Sequence, residues 1–219
     1  IAGKTKDIPI LGTAITDYEA AKLVDSNEAP GGNVSGTTDM NPIKEQIELL
    51  VKLVPDAQTV GVIYTSSEDN SIVQAQIAKA VIEDMGLTYT EVTITNSNDV
   101  QQATQSIVGD CDALYLPTDN ILASSMPVIN GVTVESKTPV ICGESGMVIA
   151  GGLATLGINY YDLGYQTGLM AVKILKGEAE PATMAIESAT EFDYAINGTV
   201  AEEIGLEIPA DLTQYIIEE

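Results

Sequence analysis

At 219 residues, 45% of them apolar, the chain can bury a core and is long enough for one large domain or two small ones. Its 32 acids face only 9 bases, all lysine, and the net charge of −23 excludes nucleic acid and anionic membrane surfaces as partners. The absence of histidine removes the usual general base and metal ligand, and no apolar stretch is long enough to span a membrane. Taken in order, the pattern predicts a strand at 8–15, a short helix at 17–24, a turn at Pro30-Gly-Gly-Asn33, a short strand at 33–37 and a helix at 42–54. From 58 to 145 the alternation is regular. Strands at 60–64, 88–94, 113–117 and 139–142 enclose helices at 71–85, 99–108 (with Asp99 as N-cap) and 120–130 (closed by Gly131). A Gly-rich strand at 151–159, a helix at 160–176 ended by Gly177, a strand at 191–196 and a helix at 198–204 complete the chain.

Apolar runs alternating with helices are buried parallel strands, so the fold class is α/β with right-handed crossovers. Four of these runs hand over abruptly to knots of small polar residues: Ile8–Ile15 to Thr16-Asp17, Val60–Tyr64 to Thr65–Ser71, Ala113–Pro117 to Thr118-Asp-Asn120, and Pro139–Cys142 to Gly143-Glu-Ser145. The carboxyl ends of such strands are where open α/β sheets place ligands. Cys111 and Cys142 fall at opposite ends of neighbouring strands, beyond disulfide reach, and read as inert buried thiols.

Each knot has a plain structural reading beside a functional one. Asp119 or Asn120 can cap the helix that follows Thr118, or the Asp119 carboxylate can face a ligand ammonium. Ser66, Ser67, Asn70 and Ser71 open a helix, where hydroxyls and backbone N–H groups suit a ligand carboxylate in a chain without arginine. Glu144, with Ser145, is either a solvated rim acid or a ligand contact. Thr16 and Asp17 are ligand contacts or the cap of the helix at 17–24. Tyr64 and Tyr160 are aromatic walls or core packing, with Asn159 a weaker candidate beside Tyr160. No phosphate loop, nucleophile elbow, CxxC pair or metal-spaced His/Cys set occurs. The chain therefore reads as a non-enzyme without cofactor or metal.

The segments Ile8-Pro-Ile-Leu-Gly-Thr-Ala-Ile-Thr-Asp17, Pro30-Gly-Gly-Asn-Val-Ser-Gly-Thr37 and Gly61-Val-Ile-Tyr64, with Glu68-Asp-Asn-Ser71 and Leu116-Pro-Thr-Asp-Asn120, resemble the bacterial ABC-transporter substrate-binding proteins of the tryptophan/tyrosine-binding type. Pro139-Val-Ile-Cys-Gly-Glu144, Gly157-Ile-Asn-Tyr-Tyr-Asp-Leu-Gly164 and Ile204-Gly-Leu-Glu-Ile-Pro209 extend the resemblance through the chain in order. It implies the periplasmic-binding-protein type I fold, two doubly wound parallel-sheet lobes that close on a ligand. Residues 1–40 and 149–185 would form lobe 1, and 41–148 with 190–219 lobe 2. Lobe 1 would be incomplete, because about three βα units, roughly 90 residues, have no counterpart here.

The same resemblance implies an extracytoplasmic receptor, a cell-surface lipoprotein or periplasmic protein, that carries a small zwitterion to an ABC importer permease. An aromatic amino acid is the ligand it suggests. Any membrane attachment would come through a lipid anchor or the transporter, outside this segment. The alternative on the same fold is the ligand-sensing domain of a receptor or regulator, since fold alone does not separate carrier from sensor.

Overall fold

A computed structural model describes residues 1–217. Strands β1 (Ile10–Gly12) and β2 (Val34–Thr38) precede helix α1 (Ile43–Leu53). Next come β3 (Thr59–Thr65), α2 (Asp69–Asp84), β4 (Thr88–Ile94), α3 (Val100–Ile107) and β5 (Ala113–Leu116). Helices α4 (Asn120–Ser124) and α5 (Met126–Ser136) lead to β6 (Val140–Cys142), α6 (Ser145–Ile149) and β7 (Ala154–Ile158). The remaining elements are α7 (Tyr160–Leu175), β8 (Glu187–Ser188), β9 (Phe192–Ile196) and α8 (Gly198–Ile204). They divide into two compact units, unit 1 holding residues 1–40 and 158–192 and unit 2 holding 41–157 and the chain from 193 onward.

Unit 2 is built on a six-stranded sheet in the order β4-β3-β5-β6-β7-β9. The pairs β3–β4, β3–β5, β5–β6 and β6–β7 are parallel, with Val60 opposite both Tyr89 and Ala113, and Leu116 opposite Cys142. Burial on both faces explains the short continuous apolar runs: Val60, Val62, Ile63, Leu114, Tyr115, Leu116, Ile141 and Cys142 are all fully buried. On one face Ile63, Leu114, Leu116 and Cys142 cluster with Ile94, Ile107, Leu122 and Met126. Each such side chain contributes about 1.5–3 kcal/mol through burial. The strand order turns back between β3 and β5, which makes their carboxyl ends the switch point of the sheet.

Four details of unit 2 differ from the sequence reading. The helix expected at 120–130 is two helices, because Pro127 cannot donate the bond that would continue α4 and instead sits in the first turn of α5. Gly131 lies inside α5, which stops at Lys137 in the left-handed conformation (φ 56°). Asp99 does not cap α3: its carboxylate turns back to accept from the Thr95 N–H (3.1 Å) and Thr95 hydroxyl (2.8 Å). Finally, residues 149–157, assigned above to lobe 1, belong to unit 2. Their strand β7 pairs with β6, with Ile141 opposite Ala154, so the Gly-rich run is a buried strand of the large sheet.

Unit 1 has a three-stranded parallel sheet, β1-β2-β8, with Ile10 opposite Val34 and Thr37 opposite Glu187. Hydroxyl groups tie it together. The Tyr18 hydroxyl donates to the Thr37 carbonyl (3.0 Å), Ser35 Oγ donates to the Met184 carbonyl (2.7 Å), and the Thr37 and Thr167 hydroxyls meet at 2.7 Å. Gly36 opposes Gly12 across the β1–β2 pair with φ 143°, and a Cβ there would lie 2.0 Å from the Gly12 carbonyl oxygen and 2.5 Å from the Tyr18 hydroxyl. The strand expected at 8–15 shortens to three residues, bounded by Pro9 and by Ala14 at φ 57°. The helix expected at 17–24 is a single turn, closed by the Ala21 N–H on the Asp17 carbonyl (3.1 Å) and stopped by Lys22 at φ 56°.

Candidate functional site

The polar knots of unit 2 lie at the carboxyl ends of its strands, and hydrogen bonds stitch them to one another. At the switch point Asp119 holds β3 to the start of α4. Its Oδ2 accepts from the Thr65 N–H (2.7 Å), and its Oδ1 from the Thr65 hydroxyl (2.9 Å) and from the N–H groups of Ile121 and Leu122 (both 3.0 Å). The residue is 1% exposed. Four short intramolecular donors fill its acceptor positions, so Asp119 is a buried staple and helix cap rather than the open acid that an ammonium would need.

Thr118, next to it, is held by its backbone. Gln74, fully buried on α2, donates to the Thr118 carbonyl and accepts from the Thr118 N–H, both at 3.1 Å. Asn70 adds a second donor to the same carbonyl at 3.1 Å, and the Thr118 hydroxyl accepts from Asn41 Nδ2 at 3.2 Å. Asn120 is exposed and donates its amide to Glu68 (2.9 Å). Ser71 is fully buried and takes only a long contact from Asn70 (3.4 Å), so it faces the core rather than solvent.

Ser66 and Ser67 remain exposed, and Ser66 bonds to the Ile94 carbonyl through both its N–H (2.9 Å) and its hydroxyl (3.1 Å). Glu68 stands at the cap position of α2 but gives no side-chain cap bond. The helices opening beside the other two strand ends, α4 and α6, are both capped by carboxylates.

Glu144 caps α6 with both oxygens, accepting from Gly146 N–H at 2.6 Å and Met147 N–H at 2.8 Å, with half-buried Ser145 beside it. Gly143 leaves room for this knot: a Cβ there would come 2.4 Å from the Thr118 nitrogen. Tyr64 stands one residue before the end of β3, but its side chain turns away from that end. Its hydroxyl reaches Glu91 (3.4 Å), which is level with Val62 on the neighbouring strand, so the ring lies back along the sheet. Burial first, then the Glu91 charge, pushes the Tyr64 phenol above its usual range. Burial raises the Cys111 thiol to about 11 and takes Cys142 higher still, which leaves neither sulfur nucleophilic.

In unit 1 the strand ends carry Thr16, Asp17, Asp39 and, at the start of α7, Asn159 and Tyr160. Asn159 caps α7 by accepting from Tyr161 N–H (3.0 Å) and Asp162 N–H (3.3 Å). Asp17 accepts from Glu19 N–H (3.0 Å) and Ala20 N–H (2.9 Å) through one oxygen, capping the single turn. Thr16 and Tyr160 converge on Asp39. The Thr16 hydroxyl donates to Asp39 Oδ1 (2.9 Å) and the Tyr160 hydroxyl to Oδ2 (3.2 Å), while Asp39 is 5% exposed and Tyr160 36%.

Asp39, Gln46 and Gln74 escaped the sequence reading. Gln46 is fully buried on α1, donates to the carbonyls of Gly143 (3.1 Å) and Leu156 (2.9 Å), and accepts from the Tyr115 hydroxyl (2.9 Å). A glutamine on the apolar face of a helix carried a signal, because a buried amide must find partners. Asp39 follows a strand as the other knots do, but Val34-Ser-Gly-Thr-Thr38 lacks the apolar run that marked them. Among the described residues no group of three or more His, Cys, Asp or Glu side chains could hold a metal ion.

The family model described as ABC transporter substrate binding protein matches residues 1–218. A tyrosine-binding protein of Clostridioides difficile (strain R20291) is 41% identical over 213 residues, which is 97% of this chain and 61% of that protein. The chain thus spans less than two thirds of the length of that relative. Among solved structures, an ABC domain in complex with L-Trp from Streptococcus pneumoniae aligns with a TM-score of 0.91 at 37% identity, covering 99% of this chain and 74% of that one. A ligand-free, open substrate-binding protein with adhesive properties from Clostridium difficile aligns with a TM-score of 0.80 at 45% identity, covering 99% and 73%.

Proposed function

The chain belongs to the ABC transporter substrate-binding protein family, and from that premise we propose that it serves as the extracytoplasmic receptor of an ABC importer. It captures a small zwitterion, an aromatic amino acid, and hands it to the membrane permease without transforming it. The similarity to a tyrosine-binding protein and to a domain crystallised with L-Trp supports the ligand class.

The observation that carries the reading lies at the switch point of unit 2. Two exposed serines, Ser66 and Ser67, stand at the end of β3, before the 16-residue helix α2, whose first turn has no side-chain cap; the Ser66 hydroxyl donates to the Ile94 carbonyl, which leaves the Ser67 hydroxyl to a ligand. Hydroxyls, uncapped N–H groups and the helix dipole together favour a carboxylate, and a chain without arginine has few other ways to hold one. In the same unit Asn120 and Ser145 are polar groups of secondary weight.

A carrier needs no catalytic base or nucleophile, and the two cysteines, held protonated by burial, supply none. No described helix is long and apolar enough to cross a membrane. On this reading attachment to the cell surface is through a lipid anchor or the permease.

Calorimetry on the complete protein tests the proposal. L-tryptophan, L-tyrosine or L-phenylalanine should bind and raise the melting temperature. If all three leave it unchanged while a sugar or nucleoside binds, the amino-acid reading is wrong.

A further inference from the structure

We propose that Gln74, fully buried on α2, is a positioning residue for ligand binding: it holds the first turn of α2, the seat of the ligand carboxylate, against the chain that leaves β5. That role rests on the receptor reading above and deepens it, because it says what keeps the seat in place.

Three consecutive residues after β5 brace the loop between β3 and α2. Asp119 takes the Thr65 N–H and hydroxyl, at the strand end of that loop. Asn120 gives its amide to Glu68 in the middle (2.9 Å). Thr118 meets the helix end, and there the contact is made by Gln74. Its Oε1 accepts from the Thr118 N–H (3.1 Å), while Nε2 donates to the carbonyls of Thr118 (3.1 Å) and Asn70 (3.2 Å). One amide thus joins the first turn of α2 to both backbone groups of Thr118. Both hydrogens of that amide and its oxygen are engaged, in a place where no solvent can take over.

Being fully buried, Gln74 has no surface with which to touch a ligand, so its effect on binding passes through the turn it holds. That turn is suited to an anion. Among the described residues the first N–H of α2 to meet a carbonyl is that of Ile72, on Glu68 (3.1 Å). The exposed Ser67 hydroxyl stands just ahead of it. Hydrogen bonds weaken steeply with distance and angle, so a seat made of a hydroxyl and a helix end works only while the two keep one spacing. With no side-chain cap on α2, the Gln74 and Asn70 amides are what tie its first turn to the Thr118 carbonyl.

The test compares L-tryptophan with tryptamine, which lacks only the carboxylate, by calorimetry on the complete protein and its Gln74→Met, Gln74→Glu and Gln46→Ala variants. Methionine keeps the volume of Gln74 without its hydrogen bonds, and glutamate keeps an acceptor for the Thr118 N–H but neither donor. Melting curves verify that each variant is folded, and either Gln74 variant alone suffices. The expected result is that the parent prefers L-tryptophan and that Gln74→Met lowers its affinity roughly 10-fold, as loss of one hydrogen bond to a charged group would. The same variant should hold tryptamine as the parent does, and Gln74→Glu should behave likewise. Gln46→Ala, which removes an equally buried amide elsewhere in unit 2, should melt earlier yet keep the parent's preference.

Equal losses for both ligands in the Gln74 variants, or no loss for either, overturn the assignment and leave the receptor reading intact. So does a Gln46→Ala variant whose preference falls to the same degree, because loosening anywhere in the unit would then be enough. A parent that binds tryptamine as tightly as L-tryptophan removes the carboxylate seat, and the role of Gln74 with it. A parent that binds neither removes the receptor reading itself.

Discussion

Both units end parallel strands in carboxylates, but they use them in different ways. In unit 2, Asp119 and Glu144 are spent on backbone N–H groups, where they fasten one strand to the next helix. In unit 1, Asp39 is met by side-chain hydroxyls on Thr16 and Tyr160. A backbone N–H makes an acid part of the helix or turn it closes, while the Thr16 and Tyr160 hydroxyls tie Asp39 to side chains of its own unit. An acid at a strand end is not evidence of binding until its donors are known.

The comparison breaks first at Asp119 if it is mistaken. Asp119→Ala strands the buried Thr65 N–H and removes the cap of α4, which should cost about 2–4 kcal/mol. Urea unfolding should show a lower midpoint with an unchanged slope, and the folded variant should still bind L-tryptophan. A variant of normal stability that has lost its ligand would instead place Asp119 among the ligand contacts.

Gln46→Ala should follow at about 2–3 kcal/mol, because it deprives the Gly143 and Leu156 carbonyls and the Tyr115 hydroxyl of partners in the core. Its readout is again the unfolding midpoint. Smaller losses of about 1 kcal/mol each are expected for Glu144→Ala and Asn159→Ala, measured in the same way, since each removes a single helix cap.

The smallest effect concerns an acid that serves only its own loop. The Thr95 hydroxyl and N–H hold the Asp99 carboxyl below its ordinary value of 3.8. A depressed folded value means that its contribution is present above about pH 4 and fades as the pH falls through the acid range. Asp99→Asn should slightly flatten the acid limb of the stability curve between about pH 5 and pH 2, followed by urea midpoints at each pH. A steeper acid limb would show that Asp99 is not stabilised where it lies.

Much of unit 2 was legible because its strands are buried on both faces and so appear as apolar runs bounded by glycine and polar residues. Val60–Tyr64 and Ala113–Pro117 could hardly be anything else. The β7 strand, Ala-Thr-Leu-Gly-Ile, was visible as a strand, but which sheet it joined depends on long-range pairing with β6 that no local pattern encodes.

Unit 1 was harder to read. Its strands are three, five and two residues long, and hydroxyls rather than aliphatic groups hold them. The short helix expected at 17–24 is a single turn, with Tyr18 packed against Gly12 and Gly36. In the site the residue types and positions could be read, but not the donors. The sequence left Asp119 as cap or contact, and only the distances to Thr65, Ile121 and Leu122 separate the two. Asp39 was overlooked because the short strand read at 33–37 is made of Ser, Gly and Thr and lacks the apolar run that marked the other strand ends.

Each unit is assembled from two separated stretches of chain, and this has a consequence for the order of events during synthesis. A ribosome releases β1 and β2 before unit 2, yet the Thr167 hydroxyl that meets Thr37 and the Met184 carbonyl that meets Ser35 emerge only after nearly all of unit 2. The strands from β3 to β7, by contrast, leave in one uninterrupted passage. Unit 2 can therefore organise most of its sheet during translation, while β1 and β2 wait for the partners that Thr37 and Ser35 need. The short, hydroxyl-rich character of those strands suits that wait, because a long apolar strand held idle at the same stage would invite pairing with the wrong partner.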